Sequence, residues 1–228
     1  MSPHSKSQIG AVILAAGGSS RFERPKQLVR FRGKTLVRGV VDAASEAGCS
    51  PVVVVVGSDS ERIRGSLKSA RIVVAENESW RRGIGTSIRT GVDALIKEAR
   101  TPNRPRAKTT KANSVSRQRL ESRPSLEAIV ILTCDQPFVN ADTIRNLIAL
   151  RQATKKSIIA SSYADTLGVP ALFDRSLFPE LLSLGDKGGA KSIISRNRNR
   201  VERCPLPQGE IDIDTREDWE KLKSTESF

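Results

Sequence analysis

Residues 10–28 read GAVILAAGGSSRFERPKQL. The apolar opening, Ala11 to Ala15, predicts a buried strand. It runs into Gly17, Gly18, Ser19 and Ser20, a loop able to turn its backbone N–H groups toward an anion. Arg21, Arg24 and Lys26 then set positive charge beside that loop. Strand, glycine-rich turn and cations in this order suggest a polyphosphate site. A plain strand–loop–helix corner is the simpler alternative.

Two better-known phosphate motifs are excluded. Gly33-Lys34-Thr35 has the ending of a Walker loop, but Leu28 stands where the required earlier glycine belongs. Gly33-Lys34 instead reads as a tight turn before a helix. Gly83-Ile84-Gly85 lacks the third glycine of a dinucleotide fingerprint, because Ile88 occupies that place.

Outward from this stretch, apolar runs alternate with helical spacing. Strands are expected at Val12–Ala15, Val52–Val56, Ile72–Ala75, Ala128–Leu132, Ser157–Ala160 and Ile211–Ile213. Helices are expected at Thr35–Ala47, Asp59–Leu67, Ile84–Ala99, from an Asn140 or Asp142 cap to about Arg151, at Ser176–Leu184 and Gly189–Ser195, and after Thr215. The all-valine run 52–56 suits a central parallel strand covered on both faces. The pattern predicts an α/β fold: an open, mostly parallel, Rossmann-like sheet with helices on both faces. Ligands of such sheets bind at the carboxyl ends of the strands, near a switch in strand order.

A chain of 228 residues suits one such domain. A short tail (1–8) is expected to be flexible, with the domain spanning 9–224. Net charge is +13, but the segment 100–125 holds eight Lys/Arg against one Glu and almost no apolar residues. It reads as a disordered basic insertion. Without interleaved aromatic residues for base stacking it argues poorly for nucleic-acid binding. No apolar run is long enough to span a membrane. No charged start leads into an apolar signal core, and Cys49, Cys134 and Cys204 form no metal or disulfide pattern. Reduced thiols and a cytoplasmic location are expected.

The single histidine is His4, in the tail. Histidine-based catalysis from the folded core is therefore excluded. Chemistry must rest on carboxylates, lysine, arginine, backbone or metal. Asp135 directly follows the fourth expected strand, where an acid can hold Mg2+ on a polyphosphate; it can equally serve as a turn or cap residue. Asp212 and Asp214, two apart on one expected strand, share a face. Asp214 with Thr215 equally suits a cap on the last helix, with Glu217 at capping-box spacing. Cys134 has no histidine partner and reads as a buried small apolar residue. Gly85, Thr86 and Ser87 at a helix start suit a close approach to a nucleotide, while Trp80 reads as core packing. Gly168-Val169-Pro170 and the loop 185–189, with Asp186, are read as loops that shape an acceptor pocket or simply turn the chain.

Four segments together resemble the MobA-like NTP transferase family: LAAGGSSRFERPKQL (14–28), NESWRRGIGTSIRTGV (77–92), TCDQPFV (133–139) and DIDTREDWE (212–220). The resemblance implies a fold of the nucleotide-diphospho-sugar transferase type. Within the family, the start Leu14-Ala15-Ala16-Gly17 is similar to that of CTP:molybdenum cofactor cytidylyltransferases. It implies that Leu14, Ala15, Ala16, Gly17, Gly18, Arg21, Lys26, Gly85, Thr86 and Ser87 contact the nucleotide. Lys26 and Asp135 would be catalytic. Asp135, with Asp214 or Asp212, would hold Mg2+. Gly168, Pro170 and Asp186 would face the acceptor. Two departures stand out: Glu23-Arg24 replaces a frequent glycine before Pro25-Lys26, and Val169 replaces a frequent histidine.

The implied reaction moves CMP from CTP to a phosphorylated acceptor such as molybdopterin and releases pyrophosphate. A partner molybdoenzyme would follow. The attacking phosphate is already an anion, so the reaction needs no general base, which agrees with a core lacking histidine. Two other functions fit the same residues: nucleotidyl transfer to another phosphorylated acceptor, and a non-catalytic cofactor-binding maturation protein.

Overall fold

The computed structural model describes residues 8–19, 22, 24–101 and 125–225. The expectations for the tail before residue 8, for Arg21 and for 102–124 of the basic insertion lie outside those residues.

The chain runs β1 (Gln8–Leu14), a small hairpin of β2 (Arg30–Phe31) and β3 (Lys34–Thr35), α1 (Leu36–Glu46), β4 (Val52–Val56), α2 (Ser60–Ser66), β5 (Val73–Glu76) and α3 (Ile84–Arg100). It continues through β6 (Leu126–Thr133), α4 (Ala141–Thr154), β7 (Ile158–Tyr163), β8 (Thr166–Asp174), α5 (Phe178–Leu182), α6 (Ala190–Arg196), β9 (Val201–Pro205) and α7 (Arg216–Thr225). Seven strands form one sheet in the order β5-β4-β1-β6-β8-β7-β9. Only β8 runs against its neighbours; the other pairings are parallel.

Alternation sorts each central strand between two cores. Ala11, Ile13 and Ala15 of the first strand region join Val52, Val54 and Val56 on the face covered by α1, α2 and α4. Val12, Leu14 and Ala16 join Val53 and Val55 on the face covered by α3, α5 and α6. Both faces are dry, so the sequence writes continuous apolar runs instead of alternation. α3 lies hard on the sheet at Gly91, where a Cβ would meet Val55 Cγ2 at 2.7 Å. A third, small cluster of Val29, Leu36, Ile213, Trp219 and Leu222 seats α7.

Local signals explain the helix ends. Thr35 Oγ1 accepts from the Arg38 N–H at 3.3 Å and starts α1. Asn140, not Asp142, caps α4, in a reciprocal capping box with Thr143. Arg32 and Gly33, both with positive φ, make the turn of the β2–β3 hairpin. No helix among the described residues is long and apolar enough to cross a membrane.

Two expectations fail on the second half of the sheet, and one strand there was not expected. The segment around Gly168-Val169-Pro170 is not a loop but the middle of β8. Pro170 is tolerated in the strand because it falls in the bulge where pairing jumps from Ala160–Ala171 to Ser161–Gly168, so no ladder N–H is needed there; its carbonyl accepts from Ser161 Oγ at 2.6 Å. The expected strand Ile211–Ile213 does not form; only the Ile213 N–H reaches β6's end, donating to the Asp135 carbonyl at 2.9 Å. The outer parallel strand is β9, whose mixed sequence VERCP gave no strand signal.

Candidate active site

Going along the chain, β1 is followed on one side by β4 and β5, and β6 then returns to β1's other side. The switch in order therefore lies between β1 and β6, and their carboxyl ends carry the site. From β1 comes the loop 15–19. Its carbonyls are held from below by Gln27, which is 2% exposed. Gln27 Nε2 donates to the Gly17 carbonyl at 2.7 Å and the Ala15 carbonyl at 3.2 Å. Ser19 Oγ donates to Gln27 Oε1 at 3.3 Å and accepts from the Lys26 N–H at 2.8 Å. With carbonyls engaged this way, the N–H groups of Gly17, Gly18 and Ser19 donate to no acceptor among the described residues. That is the geometry an anion cradle requires.

Gly18 is a glycine for a packing reason. A Cβ there would meet Trp80 Cη2 at 2.7 Å, and one at Gly57 would meet Trp80 Cγ at 2.7 Å. Trp80 is wedged between the two backbones, with the Arg81 guanidinium 4.5 Å from its ring centre. It also lines a cavity of about 210 Å3 with Leu14, Ala16, Gly17, Lys26, Gln27, Ile84, Ser87, Thr133, Cys134 and Asp135. Trp80 thus both packs against the core and forms a wall of the site.

Lys26 reaches across the switch point. Its Nζ donates to Asp135 Oδ2 at 2.9 Å and to Asp214 Oδ1 at 2.7 Å. Burial opposes the ammonium charge, but attraction to Asp135 and the hydrogen bonds to Asp214 and Asp135 outweigh it and hold the pKa above its ordinary value. Asp212 lies close to the pair without joining the bridge. Desolvation, then repulsion from Asp135 and Asp214, pushes its carboxyl up to about 7. Asp214 is not the cap of α7: Thr215 is, and Asp218 rather than Glu217 completes the box, accepting from the Thr215 N–H at 2.8 Å.

Among the described residues no three His, Cys, Asp or Glu side chains converge to hold a metal by themselves. Two carboxylate oxygens already meet one cation, however. That donor set suits Mg2+, which takes one or two carboxylates and completes its shell with phosphate and water. Cys134 is buried, and burial pushes its thiol up to about 12, so it lines the cavity as an inert apolar group.

The second motif behaves differently from expectation. Gly85 has a packing reason to be a glycine, because a Cβ would collide with the Gly185 carbonyl. Thr86 Oγ1 is tied to the Gly83 carbonyl at 2.7 Å, and Asn77 Nδ2 donates to Thr86 Oγ1 and Ser87 Oγ at 2.8 and 2.9 Å. Of the three, only Ser87 lines the cavity. Asp186 is held by Arg82 and Arg89, both at 2.7 Å. Arg89's hydrogen bond lowers its carboxyl pKa most, and Arg82 adds to it. Gly168 is covered by the Tyr163 hydroxyl. The Val169 carbonyl accepts from Gln136 Nε2 at 3.2 Å and Tyr163 at 3.1 Å. The three acceptor candidates are thus held by separate networks. Arg24 lines a different cavity, of about 360 Å3, with Trp219 and Arg216.

Sequence reasoning passed over Gln27, Ser19's role in the loop, and Trp80 as a wall. Gln27 carried one available signal: an uncharged polar residue among cations, directly after the lysine.

An α/β sheet with an amide-lined loop, a lysine and two acids at its switch point defines a nucleotide-binding protein of the phosphate-transfer kind. The chain belongs to the MobA-like NTP transferase family, a nucleotidyltransferase family, whose domain model matches residues 11–201. Nicotine blue oxidoreductase of Paenarthrobacter nicotinovorans is 30% identical over 225 residues, covering 94% of this chain and 96% of that protein. The crystal structure of Rv0371c from Mycobacterium tuberculosis H37Rv in complex with manganese superposes with a TM-score of 0.67 at 26% identity, covering 96% of this chain and all of that one. Molybdopterin-guanine dinucleotide biosynthesis protein A from Archaeoglobus fulgidus shares the fold, with a TM-score of 0.61 at 15% identity over 95% of this chain and 97% of that one.

Proposed function

We propose that this protein transfers CMP from CTP to the terminal phosphate of molybdopterin and releases pyrophosphate. The observation that carries the reading is the meeting of Lys26, Asp135 and Asp214 beside the glycine loop, with Gly17, Lys26 and Asp135 lining one cavity. An oxygen of the acceptor phosphate attacks the α-phosphorus of CTP in line. The new P–O bond forms as the bond to the β-phosphate breaks, and the electron pair leaves with pyrophosphate. No proton has to be removed from the attacking oxygen. Lys26 and the N–H groups of Gly17, Gly18 and Ser19 hold the β- and γ-phosphates and meet the charge that grows there. Leu14, Ala16, Trp80 and Ser87 enclose the nucleoside side of the cavity, and fixed geometry supplies the remaining advantage. Mg2+ on Asp135 and Asp214 would neutralise the leaving group. The choice of CTP rests on the Leu14–Gly17 resemblance. The choice of molybdopterin rests on the family.

Because Asp186 belongs to a separate ion cluster, its proposed part in acceptor binding is indirect, through the loop 185–189. Gly168 and Pro170 are buried in β8 on either side of the half-buried Val169, so their proposed part in acceptor binding is indirect as well.

A thermal-shift panel of CTP, GTP, ATP and UTP with Mg2+, followed by pyrophosphate release with molybdopterin, tests the reading. A selective CTP shift with acceptor-dependent release is expected. A shift by another nucleotide alone overturns the cytidylyl assignment.

A second reading is favoured by the near full-length match to an oxidoreductase: the same cavity takes a dinucleotide for a redox reaction. NADH and NADPH belong in the same panel. A shift by either, with no response to any triphosphate, would replace the first reading by the second.

A further inference from the structure

The place that a divalent cation would take between Asp135 and Asp214 is filled by a side chain of the protein. Lys26 Nζ bridges Asp135 Oδ2 and Asp214 Oδ1 at 2.9 and 2.7 Å. The lysine side chain is only 16% exposed, so this attraction is screened less than that of a surface pair. Its backbone is also fixed. The Lys26 N–H is bound to Ser19 Oγ, and the next residue, Gln27, is buried with its amide on the loop carbonyls. The stem therefore starts from a set point, and the ammonium has two destinations within its reach: the two carboxylates, or the cavity that Lys26 lines with Gly17.

Consider a divalent cation arriving alone. It has to displace the ammonium from both carboxylates, and the displaced charge is held within a few ångströms by that fixed stem. Two positive charges at such a distance repel, and no new acceptor has replaced the carboxylates that the ammonium gave up. A triphosphate changes this balance. Its oxygens accept the ammonium in the cavity, and they supply the remaining ligands that a hard cation needs.

We propose that Lys26 is an internal counter-ion that competes with divalent metal for Asp135 and Asp214, so that the free protein is kept from loading metal before its triphosphate. The inference rests on the nucleotidyl-transfer reading and deepens it. Lys26 then has two successive partners: the acids while the site is empty of nucleotide, and the phosphates afterwards.

The competition has an unusual sign. Removing a positive side chain from the site improves metal binding while it damages turnover. Mn2+ serves as the probe, because the electron paramagnetic resonance of free Mn2+ counts unbound ion directly and needs no activity. The full chain is titrated without nucleotide as wild type, K26Q, K26M and K26Q/D135N, with thermal melts to verify folding. K26Q keeps a donor for the carboxylates, which guards against a variant that fails to fold. The expected result is Mn2+ binding about tenfold or more tighter in K26Q than in wild type, roughly the effect of one largely screened charge, with the gain lost in K26Q/D135N. Equal binding by wild type and K26Q, abolished by Asp135→Asn, overturns the counter-ion role and leaves the transferase site standing. A gain that survives in K26Q/D135N overturns it too, because the metal then sits elsewhere. No Mn2+ binding by any of the four proteins overturns both the inference and the two-carboxylate site.

Discussion

Two ion clusters flank the cavity, and each is the other's inverse in sign. At the sheet edge, one ammonium lies between two carboxylates: Lys26 with Asp135 and Asp214. At the start of α3, one carboxylate lies between two guanidiniums: Asp186 with Arg82 and Arg89. The first has an excess of negative charge, and its ammonium donates to the two carboxylates. A lysine is a compact point charge that a second cation can replace. The second is braced by main chain. The Gly85 N–H donates to the Asp186 carbonyl at 2.8 Å, and Arg89 also donates to the Leu184 carbonyl. Planar guanidiniums fix direction as well as charge. A cluster whose cation is exchangeable is equipped for a ligand. One that shares its load with backbone hydrogen bonds is a latch, here fastening the loop 185–189 to the helix whose Ile84 and Ser87 face the cavity.

The contrast can be broken most directly at Asp135. Asp135→Ala is expected to abolish divalent-dependent pyrophosphate release; retention of that rate would remove the sheet-edge cluster from the chemistry. Next in size, Lys26→Ala should cut kcat by about 10²–10³-fold, the loss of one strong charged contact to a developing anion. Near-normal turnover would assign Lys26 to structure. A smaller effect is expected from the latch. Asp186→Asn should raise the nucleotide KM about two- to fivefold with kcat nearly unchanged, the mark of lost positioning rather than lost transition-state contact. A fall in kcat comparable with that of Lys26→Ala would erase the distinction between the clusters.

The smallest effects are in stability, and the two clusters differ in sign. Asp186 has a lowered pKa in the folded protein. Its contribution is present above the ordinary carboxylate pKa and disappears as pH falls through the folded value. Asp186→Asn should therefore melt lower than wild type at pH 7 and converge with it as pH falls below the lowered carboxyl pKa. Asp212, at about 7, is raised. The native state binds the extra proton, so wild type loses stability as pH rises from about 4 to about 7. Asp212→Asn should remove that loss and melt slightly higher at pH 8, by no more than about 1 kcal/mol given solvent on its exposed side. Melting curves in the presence of a chelator measure both.

Most of this architecture was legible in the chain. β1, β4 and β6 are covered on both faces, so Ala11–Ala15, Val52–Val56 and Ala128–Leu132 stand out as unbroken apolar runs. β8 hid behind Gly168 and Pro170, residues that normally end strands. They are tolerated because Pro170 falls in a bulge of the β7–β8 ladder, and Ser161, Tyr163 and Gln136 take up the nearby carbonyls. β9 lies at the edge of the sheet, where exposure lets polar residues in. Gly83 and Gly85 of the second motif make room for another segment of the chain, and a sequence does not distinguish that from room for a ligand.

By itself the sequence determined the strand, the glycine loop and the lysine that follows it, since these depend on burial and turn chemistry within a few residues. It also determined that no core histidine takes part. Only the folded chain decided that Lys26 meets acids 109 and 188 residues away, and that Asp186 is spent on α3. Pairing at such separations is set by the order of strands in the sheet, and no local pattern of residues encodes which ends that order brings together.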